Sequence, residues 1–191
     1  NIIFYYKGEK TKMKIYYVRH GQTDWNLERK MQGGGTERPL NETGIKQANE
    51  TKKELEDVKY DIIIRSPMHR AKQTAEIINE NKQVETIIDD RIRERELGEF
   101  EGHDITEEIE NKIWDYNLNY KISGGESLYD FEKRILDFFK DIKQKYSDKN
   151  VLIVAHGGIA KVIKAYIYGM PESKNLSEIK MKNCEIIETE I

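Results

Sequence analysis

The sequence predicts an α/β protein, a three-layer α/β/α sandwich built on a mostly parallel sheet. Short apolar runs alternate along the chain with segments of helical period, as expected when helices cover both faces of such a sheet. Three of the apolar runs also end directly in polar side chains suited to binding: Arg19-His20, Ser66 to Arg70, and His156-Gly157-Gly158. Ligands of open α/β sheets bind outside the carboxyl ends of the strands, so these residues converge on one face. Two of the strand ends carry His directly, at His20 and His156, and two carry Arg nearby, which makes that face cationic.

The elements follow in order. Lys14 to Val18, β-branched and aromatic, reads as a strand. Residues 24–42, with Gly33-Gly34-Gly35 and Pro39, read as a long loop, and Thr43 to Glu56 as a helix carried by Ile45, Ala48 and Leu55. Asp61 to Ile64 reads as a buried parallel strand. Ser66 then fits an N-cap and Pro67 the first helical position. Ala71, Thr74, Ala75 and Ile78 give the next helix its apolar stripe, and Val84 to Ile88 another strand. Residues 103–124, with Trp114, Tyr116 and Tyr120, read as a helical insertion or lid. Ser127 and Asp130 form a capping-box-like start to a helix carried by Leu128, Phe131, Ile135, Phe138 and Ile142. Val151 to Ala155 is the most apolar strand; a helix follows through Ile159, Val162, Ile163 and Tyr166, and Glu185 to Glu190 closes the chain as an edge-like strand.

Composition narrows the function classes. The 191 residues suit one domain, here 13–191. Residues 1–12 are read as a translated leader or an arm, because Lys7-Gly8-Glu9 can be encoded by a ribosome-binding sequence placed before Met13. Charged residues make up 35% of the chain and mean hydropathy is −0.80, yet the aromatic and Ile content can still fill a core. A net charge of −3 with no basic block argues against a nucleic-acid partner. No apolar run approaches the roughly 20 residues of a membrane helix. The single cysteine, Cys184, excludes an internal disulfide and a cysteine zinc site, and points to the cytoplasm. No metal-ligand spacing occurs, so neither a metal nor another cofactor is expected.

Five segments carry chemistry. Tyr17-Val18-Arg19-His20-Gly21-Gln22-Thr23-Asp24-Trp25-Asn26 resembles the signature of the histidine phosphatase (phosphoglycerate mutase-like) superfamily. Arg65 to Ala75 resembles its second motif. Arg91-Ile92-Arg93-Glu94, followed by Gly98 to Gly102, resembles the third. Gly124-Gly125-Glu126-Ser127 and Val154 to Gly158 resemble the fourth and fifth. The five occur in family order.

The resemblance implies a phosphoglycerate mutase-like fold and a phosphohistidine intermediate. His20 would be the nucleophile, a neutral imidazole with one nitrogen free and the other held as a donor, Gly21 letting the chain turn there. Arg19 and Arg70 suit bidentate contact with phosphoryl oxygens. Arg70 falls in the first turn of its helix, where a cation is otherwise mildly unfavourable. His156 completes the phosphate pocket in the family pattern. Glu94 is the implied general acid, although by sequence alone Glu96, Glu99 and Glu101 rival it. Asn26, Thr23, Gln32 and Gly157 are the further substrate-binding candidates. His69 and His103 are expected to face solvent, and Cys184 to fill core space.

Two departures bear on activity. Gly34 stands where the family often has Arg, a contact that Arg38 could supply, and Arg95 directly after Glu94 is a feature of mutases. Only residues 103–123 separate the third and fourth motifs, a short lid that favours a phosphatase. The expectation is a cytoplasmic, metal-independent phosphomonoesterase, monomeric or homodimeric. It would act on a small phosphorylated metabolite, with likeness to alpha-ribazole and broad-specificity phosphatases. The alternatives are a 2,3-bisphosphoglycerate-dependent phosphoglycerate mutase and a non-catalytic phosphate-binding module.

Overall fold

The computed structural model describes residues 13–191, so the leader expected at 1–12 lies outside the described residues. The elements are β1 (Lys14–Arg19), α1 (Asp24–Leu27), α2 (Glu42–Glu54), β2 (Ile62–Arg65), α3 (His69–Asn79) and β3 (Glu85–Ile88). They continue with α4 (Glu107–Ile113), α5 (Leu128–Lys145), β4 (Val151–Ala155), α6 (Gly157–Tyr168) and β5 (Ile186–Glu190). Strand order is β3-β2-β4-β1-β5. The β2–β3, β2–β4 and β1–β4 pairs are parallel, and β5 joins β1 antiparallel at the edge.

Strand composition explains this order. All five residues of β4 are buried, as a central strand covered on both faces requires. In β3 only Ile87 is partly buried, which suits the opposite edge. Side chains alternate between the sheet faces. Ile15 and Tyr17 of β1, Ile64 of β2 and Ile153 of β4 meet Phe131, Ile135 and Phe138 of α5 and Ile159 of α6. Tyr16, Val18, Ile63 and Val154 point the other way, onto Leu55 and the Ala71, Ala75 and Ile78 stripe of α3. The result is the predicted sandwich. The α5 stripe does most of the covering, and each fully buried Phe or Ile contributes roughly 1.5–3 kcal/mol. Ser127 starts α5 as expected, its hydroxyl oxygen accepting from the Asp130 N–H.

Several local expectations are corrected. The helix after β2 begins at His69, not Pro67, and Met68 is its N-cap without a side-chain bond. The Ser66 hydroxyl oxygen still accepts from the Met68 N–H at 3.3 Å, and it is also paired with the His156 ring, 2.7 Å away. The 24–42 segment is not all loop, because Thr23 caps the short α1 in a reciprocal box with Asn26. Ile45 faces solvent; α2 buries its small residues Gly44, Ala48 and Thr51, which allows close approach to its neighbours. Gly21 does not serve a positive-φ turn. A Cβ there would meet the Gly44 carbonyl, so Gly21 permits the loop after β1 to lie against the start of α2.

Register then assembles the upper face. Arg19 pairs with Ala155 across β1 and β4, and the His20 N–H donates to the Ala155 carbonyl at 2.9 Å. On the other side of β4 the Ser66 N–H donates to Val154 at 3.0 Å. His20, His156 and Ser66 therefore leave three adjacent parallel strands side by side.

Candidate active site

The His20 ring is buried, and its Nδ1 lies 2.8 Å from the Gly21 carbonyl. That acceptor fixes the proton on Nδ1 and leaves Nε2 with a free lone pair. The His156 ring sits 5.3 Å from it, centroid to centroid. His156 is held by Ser66 at Nε2, and its backbone carbonyl accepts from the Tyr17 hydroxyl at 2.5 Å.

Arg19 and Arg70 act on the pair, and Arg95 lines the cavity beside His20. Arg19 donates through Nη1 to the Met181 carbonyl at 2.5 Å. Gly157 makes room for its guanidinium, since a Cβ there would stand 3.2 Å from Arg19 Nε. Arg70 donates to the carbonyls of Thr36 (2.9 Å) and Gly33 (3.2 Å). Arg95 donates through Nε to the Glu126 carbonyl at 3.0 Å and through Nη1 to the Ile113 carbonyl. Each keeps a buried N–H without a partner among the described residues: Arg19 Nε, Arg70 Nε and Arg95 Nη2. Gln32 Nε2 and His156 Nδ1 are in the same condition. Buried donors are normally bonded, so these unpaired groups are suited to an acceptor of high charge.

The electrostatics agree. Burial lowers the pKa of Arg19, and that of Arg70 to about 10, because the lost hydration outweighs the opposing pull of the Glu94 carboxylate. Burial, followed by the Arg70 and Arg19 charges, pushes His20 well below its usual 6.5, and the same causes act on His156. Both rings are held neutral in the fold while the unfolded chain takes up protons below about pH 6.5. Stability is therefore full above that pH and falls as pH drops toward the depressed folded values. The slope is at most about 1.4 kcal/mol per pH unit for each ring. Denaturant midpoints at pH 7.5 and 5.0 should show the loss, and His156→Gln should shrink it.

Glu94 faces this cluster from the opposite wall. Its Oε1 accepts from the Arg95 N–H and its Oε2 from the Gly158 N–H, both at 2.9 Å. A Cβ at Gly158 would collide with the Glu94 carboxylate and Trp114, so only glycine admits this contact at the start of α6. A cavity of about 240 Å³ lies between, lined among others by Arg19, His20, Asn26, Gln32, Glu94 and Gly157.

The predicted residues thus converge, with distinctions. Arg70 and His156 are fully buried and lie outside the cavity lining, though Arg70 acts electrostatically on His20. Thr23 is also outside it. Its hydroxyl donates to Gln32 Oε1 at 2.8 Å, which orients the Gln32 N–H groups, so its place is that of a support rather than a contact. Asn26 Oδ1 accepts from Thr23 and Asn183. Trp114 lines the cavity as expected, whereas Tyr116 stacks on Tyr129 and Tyr120 on Phe100 away from it. Arg38 is exposed and lies over Trp25, so it does not replace the arginine missing at Gly34. His69 and His103 are exposed and Cys184 is buried, as anticipated.

Sequence reading missed the far wall, where Lys161, Ile179, Lys180 and Met181 join Arg95. Lys161 spans to the carbonyls of Leu176 (2.9 Å) and Ile179 (2.7 Å), and burial lowers its pKa to about 8. No spacing signal ties that segment to the β1 motif. Among the described residues no group of three or more His, Cys, Asp or Glu could hold a metal ion, and no helix is long and apolar enough to cross a membrane.

A neutral buried imidazole at a strand end, flanked by arginines and opposed by a carboxylate, is an arrangement whose chemistry suits a phosphoryl group. The chain belongs to the histidine phosphatase superfamily, branch 1, whose family model matches residues 15–191. The uncharacterized phosphatase PhoE of Bacillus subtilis (strain 168) is 41% identical over 155 residues, which is 81% of this chain and 77% of PhoE. The solved structure of Bacillus stearothermophilus YhfR superposes with a TM-score of 0.82 at 31% identity, covering 92% of this chain and 90% of that one. The alpha-ribazole phosphatase from Shigella flexneri superposes with a TM-score of 0.74 at 26% identity, covering 90% and 87%.

Proposed function

We propose that this protein is a metal-independent phosphomonoesterase that hydrolyses a small organic phosphate through phosphohistidine at His20. The observation that carries the reading is the ring of buried, unpartnered donors around a neutral His20. A phosphoryl group supplies the acceptors that Arg19, Arg70, Gln32 and His156 lack. Asn26 and Gly157, on the cavity wall, complete the substrate contacts.

In the first half-reaction the His20 Nε2 lone pair attacks phosphorus. The P–N bond forms as the P–O bond to the leaving group breaks. Protonated Glu94 gives its proton to the departing alkoxide, and the arginines hold the charge on the equatorial oxygens. In the second, water attacks phosphorus, Glu94 takes its proton, and the P–N bond breaks to release phosphate. Residues 103–124 act as the lid, with Ile105, Glu110, Ile113 and Trp114 facing the leaving group. The cavity size suits one small metabolite, and residues 13–191 serve as the single domain that acts on it. The lone, buried Cys184 supports a cytoplasmic setting.

A mutase reading draws on Arg95, whose free Nη2 lies in the cavity wall region. One experiment separates the two: phosphate release over a panel of metabolite monoesters, with EDTA present and phosphoglycerate isomerisation followed in parallel. Release that persists in EDTA is expected. Isomerisation without release, or loss of release on chelation, would overturn the proposal.

A further inference from the structure

Glu94 sits in no helix or strand, so no ladder of backbone bonds sets its position. Its segment is instead gathered by one side chain from α5. Arg134 donates through Nη1 to the carbonyls of Arg91 (2.5 Å) and Arg93 (2.7 Å), and through Nη2 to that of Glu94 (3.1 Å). The remaining edge of the guanidinium is held by Glu126, Nε to Oε1 at 2.7 Å and Nη2 to Oε2 at 2.9 Å. Glu126 also grips the other flank of Glu94. Its N–H donates to the Glu96 carbonyl at 2.9 Å, and its carbonyl accepts from Arg95 Nε at 3.0 Å. The plane of Arg134 rests near the Phe131 ring, 4.7 Å from guanidinium carbon to centroid.

The geometry points to Arg134, locked by Glu126, as the positioning residue that sets the reach of the Glu94 carboxyl toward the leaving-group oxygen. This rests on the acid role proposed for Glu94. A fork with several N–H donors is needed, because three carbonyls and a bidentate carboxylate are gathered around it. Lysine keeps the charge but cannot span them. The Glu94 loop would then drift by a fraction of an ångström. Proton transfer to a poor leaving group tolerates such drift badly, whereas displacement of a good one, which needs no proton, is spared.

The test uses Arg134→Lys in the wild-type and Glu94→Gln backgrounds, assayed with an alkyl phosphate and with nitrophenyl phosphate. Arg134→Lys should lower kcat on the alkyl substrate about 10- to 100-fold with KM nearly unchanged, and barely affect nitrophenyl phosphate. In the Glu94→Gln background the same change should cost almost nothing more, since its route of action is already gone. Glu126→Gln, which weakens the lock while leaving all of Arg134 in place, should show the same leaving-group pattern at smaller size. Equal losses on both substrates, or additive losses in the double variant, would overturn the inference and leave Arg134 a general stabiliser. The underlying reading is checked separately by acid-labile, base-stable labelling of the wild-type protein from labelled substrate. If no label forms, the proposed acid role loses its basis irrespective of Arg134.

Discussion

His20→Ala is expected to abolish phosphate release, by at least about 10⁴-fold, and to remove all base-stable phosphorylation of the protein. The size follows from what replaces the ring. With Nε2 gone, only water could attack, and the neighbouring His156 has its Nε2 paired with Ser66. The anion site should survive, because the Arg19, Arg70 and Gln32 donors come from other backbone positions and keep their own carbonyl and hydroxyl partners. Inorganic phosphate should therefore still bind His20→Ala, which separates lost chemistry from lost folding. Turnover near that of the wild type would remove His20 as nucleophile.

Glu94→Gln should slow hydrolysis of alkyl phosphates by roughly 10²–10⁴-fold and of nitrophenyl phosphate far less. An alkoxide needs a proton to leave and a nitrophenolate does not. Gln is nearly isosteric, but it turns one acceptor into a donor that must face the Arg95 or the Gly158 N–H. A modest drop in melting temperature should accompany the change, and it would be common to both substrates. The ratio of the two rates is thus the informative measurement. Equal losses would argue that Glu94 only shapes the wall.

The strands and the major helices were legible because each answers to one strong local rule. The α5 stripe has helical period over its whole length, and β4 is apolar at every position. Legibility failed where a side chain had a distant use. Ser66 looks like a helix cap when only Pro67 and the stripe after it are seen. Its hydroxyl reaches His156, ninety residues on, and the helix begins two residues later than the local signal implies. Ile45 looks like a core position of α2, but close packing through Gly44 and Ala48 turned it outward. Thr23 carries no visible mark that separates a cavity contact from a support, and the Gln32 bond decided it.

The candidate site divides along the same line. Arg19, His20, Arg70, Glu94 and His156 were legible as residue types in motifs, because the chemistry of a phosphoryl group restricts which side chains can serve. Their meeting was not. It depends on β4 lying between β1 and β2, which places three strand ends in register, and on the carbonyls gathered by Arg134. The 176–181 wall, tied in through Lys161 and the Met181 carbonyl, follows no local pattern at all. Periodicity and residue chemistry are properties of a few neighbours in the chain, so the sequence by itself determined the layers and the reactive groups. Which donors remain unpartnered and which carboxylate faces them are sums over contacts between distant segments, and only the packed structure decided those.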